Sequence, residues 1–211
     1  MYFLMALMLT LPTLADVASK ESTAWFLPIN VVNRQSLENV RLTAIGEFGR
    51  PRQARAKVSA HLHTAIDLMR PTGNYVHQSI FPASVGSVIS IRTDGPFAQI
   101  IIEHQELGGE FVWTIYEHIA EAKVGLGEVV NPERAIGRFF NKNELDKFGW
   151  QFDHLHFEIL KHPPRRVKSE PQLPLRLYST YTLECYDQDD LRKYYHDPRD
   201  FFESRWQMQE R

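Results

Sequence analysis

Between Pro71 and Leu160 the chain carries no sustained helical period. Short apolar segments alternate with polar residues there, and glycine and proline interrupt them about every ten residues. Ser84 to Arg92 contains Val85, Val88, Ile89 and Ile91; Ala98 to Glu103 contains Ile100, Ile101 and Ile102; Glu110 to His118 contains Phe111, Trp113 and Ile115. Asp94-Gly95-Pro96 and Leu107-Gly108-Gly109 separate them, which is the punctuation of an antiparallel meander. The expected fold is therefore an all-β core, an antiparallel β-sandwich or partly closed barrel with a small mixed C-terminal extension. In the third strand, alternation sets Val112, Thr114, Tyr116 and His118 on one face and Phe111, Trp113, Ile115 and Glu117 on the other.

The flanking sequence adds shorter elements. Trp25 to Val32 is a short strand at best, because Pro28 and Asn30 interrupt it, and Val40 to Ile45 is a second candidate strand. Gly46 to Arg52 is a turn carrying two guanidinium groups. Val124 to Val130 and Arg134 to Gly137 read as short strands or turns around Pro132, and Asn141 to Phe148 as a loop or one helical turn. Beyond Leu160 the character changes to a basic, proline-bearing linker from His162 to Lys168, read as solvated rather than as a patch for an anionic wall polymer. Leu175 to Tyr186 favours strand. Asp189 to Trp206 suggests one or two helices, the second starting with Asp197 as N-cap and Pro198 in its first turn.

Composition narrows the class. With 211 residues, 43% of them apolar, the chain suits one domain with a substantial core. Its 24 basic and 26 acidic residues leave a net charge of −2, with no basic field of the kind nucleic-acid binding uses. Cys185 is the only cysteine, so neither an internal disulfide nor a cysteine zinc finger is available. Met1 to Ala15 is almost wholly apolar and ends Thr13-Leu14-Ala15, which reads as a cleaved export signal, with an uncleaved anchor or a mature helix or strand as the alternatives; no Lys or Arg precedes the apolar run. The expected organisation is a signal peptide at 1–15, lead-in strands at 16–45, the main domain at 46–161 and an extension at 162–211 that packs on it.

Chemistry concentrates in Asp153-His154-Leu155-His156-Phe157-Glu158-Ile159. On a strand, His154, His156 and Glu158 share one face while Leu155, Phe157 and Ile159 share the other. Such a pair of imidazoles suits a metal, but it equally suits a half-exposed strand. Upstream, His63 and Asp67 stand four residues apart beside Ile66 and Leu68. Together the two segments supply what a catalytic zinc needs, namely three N and O ligands with a fourth position left for water. The zinc-helix motif His-Glu-x-x-His, which would supply a glutamate base, is absent; an imidazole can serve as either acid or base near neutral pH. Glu158 is a candidate to orient a ligand. Arg50 is read either as a substrate-carboxylate ligand or as a brace for its loop. His61 forms its own His-x-His with His63; it is read, with His77, His104, His162 and His196, as structural or solvated.

In their order along the chain these motifs resemble the lysostaphin-like zinc endopeptidases, which cut peptide bonds in bacterial cell-wall peptidoglycan. The resemblance rests on Phe48-Gly49-x-Arg, His63-Thr-Ala-Ile-Asp67-Leu, Val85 to Val88, Tyr116-x-His118-Ile, Gly125-x-x-Glu-Val129 with Ile136-Gly137, and His154-Leu-His156-Phe-Glu158-Ile. It implies a compact antiparallel β domain with its site in a groove. It also implies that His63, Asp67 and His156 bind zinc and that His118 and His154 act over the open side as catalytic imidazoles. The implied protein is an exported, periplasmic or envelope metalloendopeptidase whose partner is the peptidoglycan peptide. The competing readings are a non-catalytic wall-binding or amidase-activating module of the same fold, and a zinc hydrolase with another exported substrate such as glycine-rich protein. The family usually places glycine where Leu62 and Asp153 stand here, which points to altered loops around the groove.

Overall fold

The alternating segments pair as an antiparallel sheet. The structure, a computed structural model, describes residues 24–76 and 78–209. The signal-peptide expectation, the polar stretch behind it and His77 lie outside those residues. In chain order the strands are β1 (Pro51–Arg52), β2 (His61–Leu62), β3 (Ile66–Met69), β4 (Ser79–Ile80), β5 (Gly86–Arg92), β6 (Gln99–Gln105) and β7 (Phe111–Glu117). They continue with β8 (Ile119–Ala120), β9 (Val129–Val130), β10 (Gly137–Phe139), β11 (His154–Leu160), β12 (Arg165–Arg166), β13 (Tyr178–Ser179) and β14 (Tyr195–His196). Three helices, α1 (Lys142–Phe148), α2 (Gln188–Tyr194) and α3 (Pro198–Gln209), complete the described elements together with short 3-10 turns.

The main sheet runs β14-β11-β7-β6-β5-β9, with β3 also paired to β11. Since β7 occupies one edge of β11, β3 and β14 share the other, β3 along His154 to Phe157 and β14 at Ile159 and Leu160. A three-stranded sheet, β4-β10-β8, and the ribbons β1-β2 and β12-β13 lie around it, and among the described residues no barrel closes.

Strand alternation decides where the core goes. Leu155, Phe157 and Ile159 point to the face that also buries Ile66, Leu68, Tyr116, Ile100 and Ile102. Trp25, Leu27 and Ile29 from the lead-in and Phe201 and Phe202 from α3 cover it. Each such side chain contributes roughly 1.5–3 kcal/mol by leaving water. On the opposite face Ile101, Trp113, Ile115 and Leu160 are buried by Cys185, Leu191 and Tyr195, all from the extension. The extension thus roofs one end of the face whose other end carries the histidines.

Some expected elements differ. Trp25 to Val32 enters the core, but pairs only through the bridge Ile29 to Ile80, and Val40 to Ile45 is turn-rich and pairs only through Leu42 to Leu68. Asn141 to Phe148 forms a full helix in which Asn141 and Glu144 make a reciprocal capping box, a signal that the spacing Asn-x-x-Glu carries in the sequence. In the extension, the Asp197 carboxylate accepts from Arg199 N at 2.9 Å at the start of α3, as the Asp-Pro pair suggested.

His104, 1% exposed, is one of the histidines read as structural. Its Nδ1–H donates to Val85 O at 2.8 Å, and the Thr114 hydroxyl lies 2.7 Å from its Nε2. Burial pulls its pKa down to about 4. Its ring is therefore neutral in the folded chain and protonated at mild acid only when unfolded. Between pH 6.5 and 4 the unfolded state binds the extra proton, so His104 is expected to remove about 3 kcal/mol of stability across that window as pH falls. The check is an NMR titration of the His104 ring; a protonation step near pH 6.5 in the folded protein would contradict the expectation.

Candidate metal centre

The register of β3 on β11 sets Asp67 opposite His156 and Ile66 opposite Phe157, so Asp67 shares the histidine face while its neighbours Ile66 and Leu68 enter the core. His63 follows β2 and is fixed by its own backbone, where Gly49 N donates to His63 O at 2.8 Å and His63 N to Arg50 O at 2.9 Å. Gly46 N–H belongs to a turn whose carbonyl accepts from Asp67 N at 2.9 Å. A Cβ on Gly46 would come within 2.7 Å of Asp67 Cβ, so only glycine lets this turn lie against the carboxylate's strand.

Three donor atoms meet there. His63 Nε2 is 2.9 Å from Asp67 Oδ1, His156 Nδ1 is 3.0 Å from the same oxygen, and the two nitrogens are 3.2 Å apart. Ligands held about 2.0–2.2 Å from a tetrahedral zinc lie roughly 3.3 Å from one another, so the three atoms fit one ion with little adjustment. The ring orientations agree with this. His63 Nδ1–H donates to Glu47 O at 2.9 Å, which leaves Nε2 with its lone pair toward Asp67. His156 Nε2 lies 3.1 Å from Glu158 Oε1, which leaves Nδ1 as the ligand nitrogen. Arg52 Nη2 donates to Asp67 Oδ2 at 2.9 Å, holding the oxygen that does not face the histidines.

The electrostatics favour positive charge at this point. Burial by itself would raise the Asp67 pKa, yet hydrogen bonds with His156 and His63 hold it well below the carboxylate range. Burial likewise opposes charge on His156, but the carboxylates of Asp67 and Glu158 on either side of its ring push it up to about 10. The His63 pKa is lowered, chiefly by burial.

The other two predicted residues stand beside the trio. His154 Nε2 is 3.5 Å from Asp67 Oδ1, and its ring lies edge-on to His118 with centroids 4.8 Å apart. The His118 ring is 5.8 Å from that of His156. It arrives there by a route that strand alternation did not predict. β7 ends at Glu117, and His118 adopts a left-handed backbone with φ +63°, which releases it from the core face that Tyr116 occupies. Its Nδ1–H donates to Pro96 O at 2.6 Å, so the neutral ring keeps its lone pair on Nε2. Burial holds His118 well below the ordinary histidine value and His154 at about 4. Both rings are therefore neutral, able to accept a proton, at pH 7.

Several contributors escaped the sequence reading. The Arg50 side chain is exposed, and the guanidinium that braces the loop against the site is Arg52. Glu117 is directly opposite His156 and shares its face. Its carboxylate accepts from Gln99 at 2.7 Å, and burial raises its pKa to about 7. Thr64 and Thr182 both donate to Glu158 Oε1 at 2.6 Å. Thr64 lies inside the His63–Asp67 motif, but nothing in the spacing around Thr182 could have revealed its part in this. His61 turns away and donates to Ser59 O at 2.9 Å.

Asp153, which replaces the glycine expected before the His-x-His pair, points away from the ligands. Its Oδ1 accepts from Arg70 Nε at 3.1 Å and Nη2 at 2.6 Å, and its Oδ2 accepts from Tyr75 at 3.2 Å. Arg70, 5% exposed, also donates to Phe140 O, so this pair ties the end of β3 to the start of β11. Asp153→Ala is expected to cost about 3 kcal/mol, because it leaves a buried guanidinium without its counter-charge. Urea unfolding measures it; a loss under about 0.5 kcal/mol, the scale of an ordinary surface change, would contradict the clamp.

Peptidase family M23 matches residues 44–171, more than half of the chain. No curated protein matches it significantly. Among solved structures, lysostaphin is 16% identical over 88% of this chain and 55% of its own, with a TM-score of 0.47. A zinc-containing peptidase from Vibrio cholerae is 19% identical over 66% of this chain and 37% of its own, with a TM-score of 0.44. The catalytic domain of a mutant of the prophage-encoded M23 protein EnpA from Enterococcus faecalis is 19% identical over 67% of this chain and 88% of its own, with a TM-score of 0.41. The chain thus spans about half the length of lysostaphin and little over a third of the Vibrio protein.

Proposed function

The chain belongs to peptidase family M23, the lysostaphin-like peptidases, and from that premise we propose that it is an exported zinc metalloendopeptidase that hydrolyses peptide bonds of bacterial peptidoglycan. The observation that carries the reading is the convergence of His63 Nε2, Asp67 Oδ1 and His156 Nδ1 within 2.9–3.2 Å of one another, with two further imidazoles beside them. Zinc held by that trio supplies a Lewis acid for the scissile carbonyl and lowers the pKa of a coordinated water to around 7.

The remaining work falls to the chain's own groups. Two neutral imidazoles, His63 and His156, and one carboxylate, Asp67, would hold a divalent ion with a local charge of about +1. His118 and His154, kept neutral by burial, take the proton from the attacking water and return one to the departing amine. The hydrogen bond from His118 Nδ1–H to Pro96 O designates Nε2 as the nitrogen that accepts it. A purely scaffolding member of the fold would have no physical need for three ligands and two bases together.

The test is zinc analysis of the purified protein together with digestion of purified peptidoglycan and mass analysis of the fragments. One zinc per chain and fragments ending at a peptide bond are expected. Zinc without cleavage would transfer the chain to the non-catalytic wall-binding or amidase-activating class, and absence of zinc would remove the metal reading. Export is tested by whether the protein recovered from cells starts after Ala15.

A further inference from the structure

Glu158 is 1% exposed, and a bare carboxylate at that depth is costly. Among the described residues its Oε2 has no hydrogen-bond partner, and its polar contacts run through Oε1. Three groups meet that oxygen: His156 Nε2 at 3.1 Å, Thr64 Oγ1 at 2.6 Å and Thr182 Oγ1 at 2.6 Å. Thr64 lies between the two metal-ligand candidates of its segment. Thr182 lies outside residues 44–171, in a 3-10 turn of the extension.

We propose that Thr182 is a positioning residue of the metal centre, so that the C-terminal extension completes the site rather than merely packing against it. The inference rests on the zinc reading given above. Thr182 gives its single hydroxyl proton to Glu158 Oε1 and in turn accepts from Thr180, whose hydroxyl oxygen is 2.8 Å away. The turn is held in place by Tyr195, whose hydroxyl accepts from Tyr181 N at 2.9 Å. The two short threonine hydrogen bonds fix the orientation of the Glu158 side chain and aim its Oε1 at His156. The carboxylate holds a proton of His156 on Nε2, so that Nδ1, facing Asp67 and His63, is the nitrogen a metal would take in place of its proton. The same extension reaches the other histidine ligand through the backbone, since Leu62 N, one residue before His63, donates to Cys185 O at 2.7 Å. Two ligands are thus aligned from one segment that the family match does not include.

Thr182→Val removes the hydroxyl at nearly constant volume. Zinc affinity, read by competition with a coloured chelator, is expected to fall about 10–100-fold, the usual cost of losing a partner of a metal ligand. Thr182→Ser keeps the hydroxyl and sheds a methyl; its zinc affinity is expected to stay within about threefold of the parent's. The ¹⁵N shifts of the His156 ring in the metal-free protein give a second readout, with Thr182→Val expected to move its Nδ1 and Nε2 signals and Thr182→Ser to leave them in place. The proposal is overturned if Thr182→Val binds zinc as tightly as the parent, or if Thr182→Ser is as weak as Thr182→Val, which would assign the effect to packing. His63→Ala separates the two layers of argument. If it loses zinc while Thr182→Val does not, the positioning role alone fails; if His63→Ala also keeps zinc, the metal reading itself fails.

Discussion

Asp67→Asn is expected to abolish both zinc retention and peptidoglycan cleavage while leaving a folded protein. The substitution keeps the shape of the side chain and its place in β3 opposite His156. It removes the one negative charge that contacts both ligand imidazoles, at 2.9 and 3.0 Å. If a site free energy of roughly 10 kcal/mol is shared by three ligands, losing one weakens binding about 10²–10³-fold. The neutral amide also presents an NH₂ group that repels a cation when it turns inward, so the real loss should lie at the upper end. Arg52 loses its counter-charge as well, which leaves an unneutralised guanidinium beside the site. Chelator competition and lysis of cell-wall suspensions measure the two effects; an Asp67→Asn protein that held zinc at parental affinity would dispose of the ligand assignment.

His118 should separate chemistry from metal binding. Among the described residues no hydrogen bond joins it to the trio, so its replacement should leave zinc affinity within a factor of about two, while kcat falls about 10²–10⁴-fold for loss of acid-base help. The choice of substituent matters. At φ +63° an alanine carries a left-handed backbone penalty of about 1–2 kcal/mol, whereas asparagine adopts that region readily. His118→Asn is therefore the cleaner variant, and comparing it with His118→Ala isolates the backbone contribution. Retention of zinc together with full activity in His118→Asn would remove this imidazole from the reaction.

These residues also show what a sequence can and cannot reveal. Strict alternation in the segment from His154 to Ile159 was enough to place both imidazoles and Glu158 on one face and three apolar residues in the core, because a strand of regular pleat has only two faces. Asp67 could be assigned to the same side because Ile66 and Leu68 flank it. The same rule misplaced His118, since one left-handed residue at the end of β7 cancels the alternation and nothing in Tyr116-Glu117-His118 announces it. The lead-in segments looked like strands by composition, yet each pairs at a single bridge; pairing depends on which edges other strands leave open. Arg52 and Thr182 are recruited purely by tertiary packing, where neither spacing nor residue type distinguishes them from their neighbours. The helix after Asn141, read as a loop or one helical turn, did carry a start signal in the spacing of Asn141 and Glu144, which form its capping box.

The pairing of β3 with β11 has a consequence for biogenesis. His63 and His156 are 93 positions apart, and Thr182 comes later still. A ribosome that has released only the first half of the polypeptide has produced a histidine and a carboxylate but no cage. Capture of the cation must wait for the closing strand and then for the final turn. If the chain is exported, as proposed above, and crosses the membrane unfolded, its precursor would carry no metal with it and would be charged from the pool at its destination.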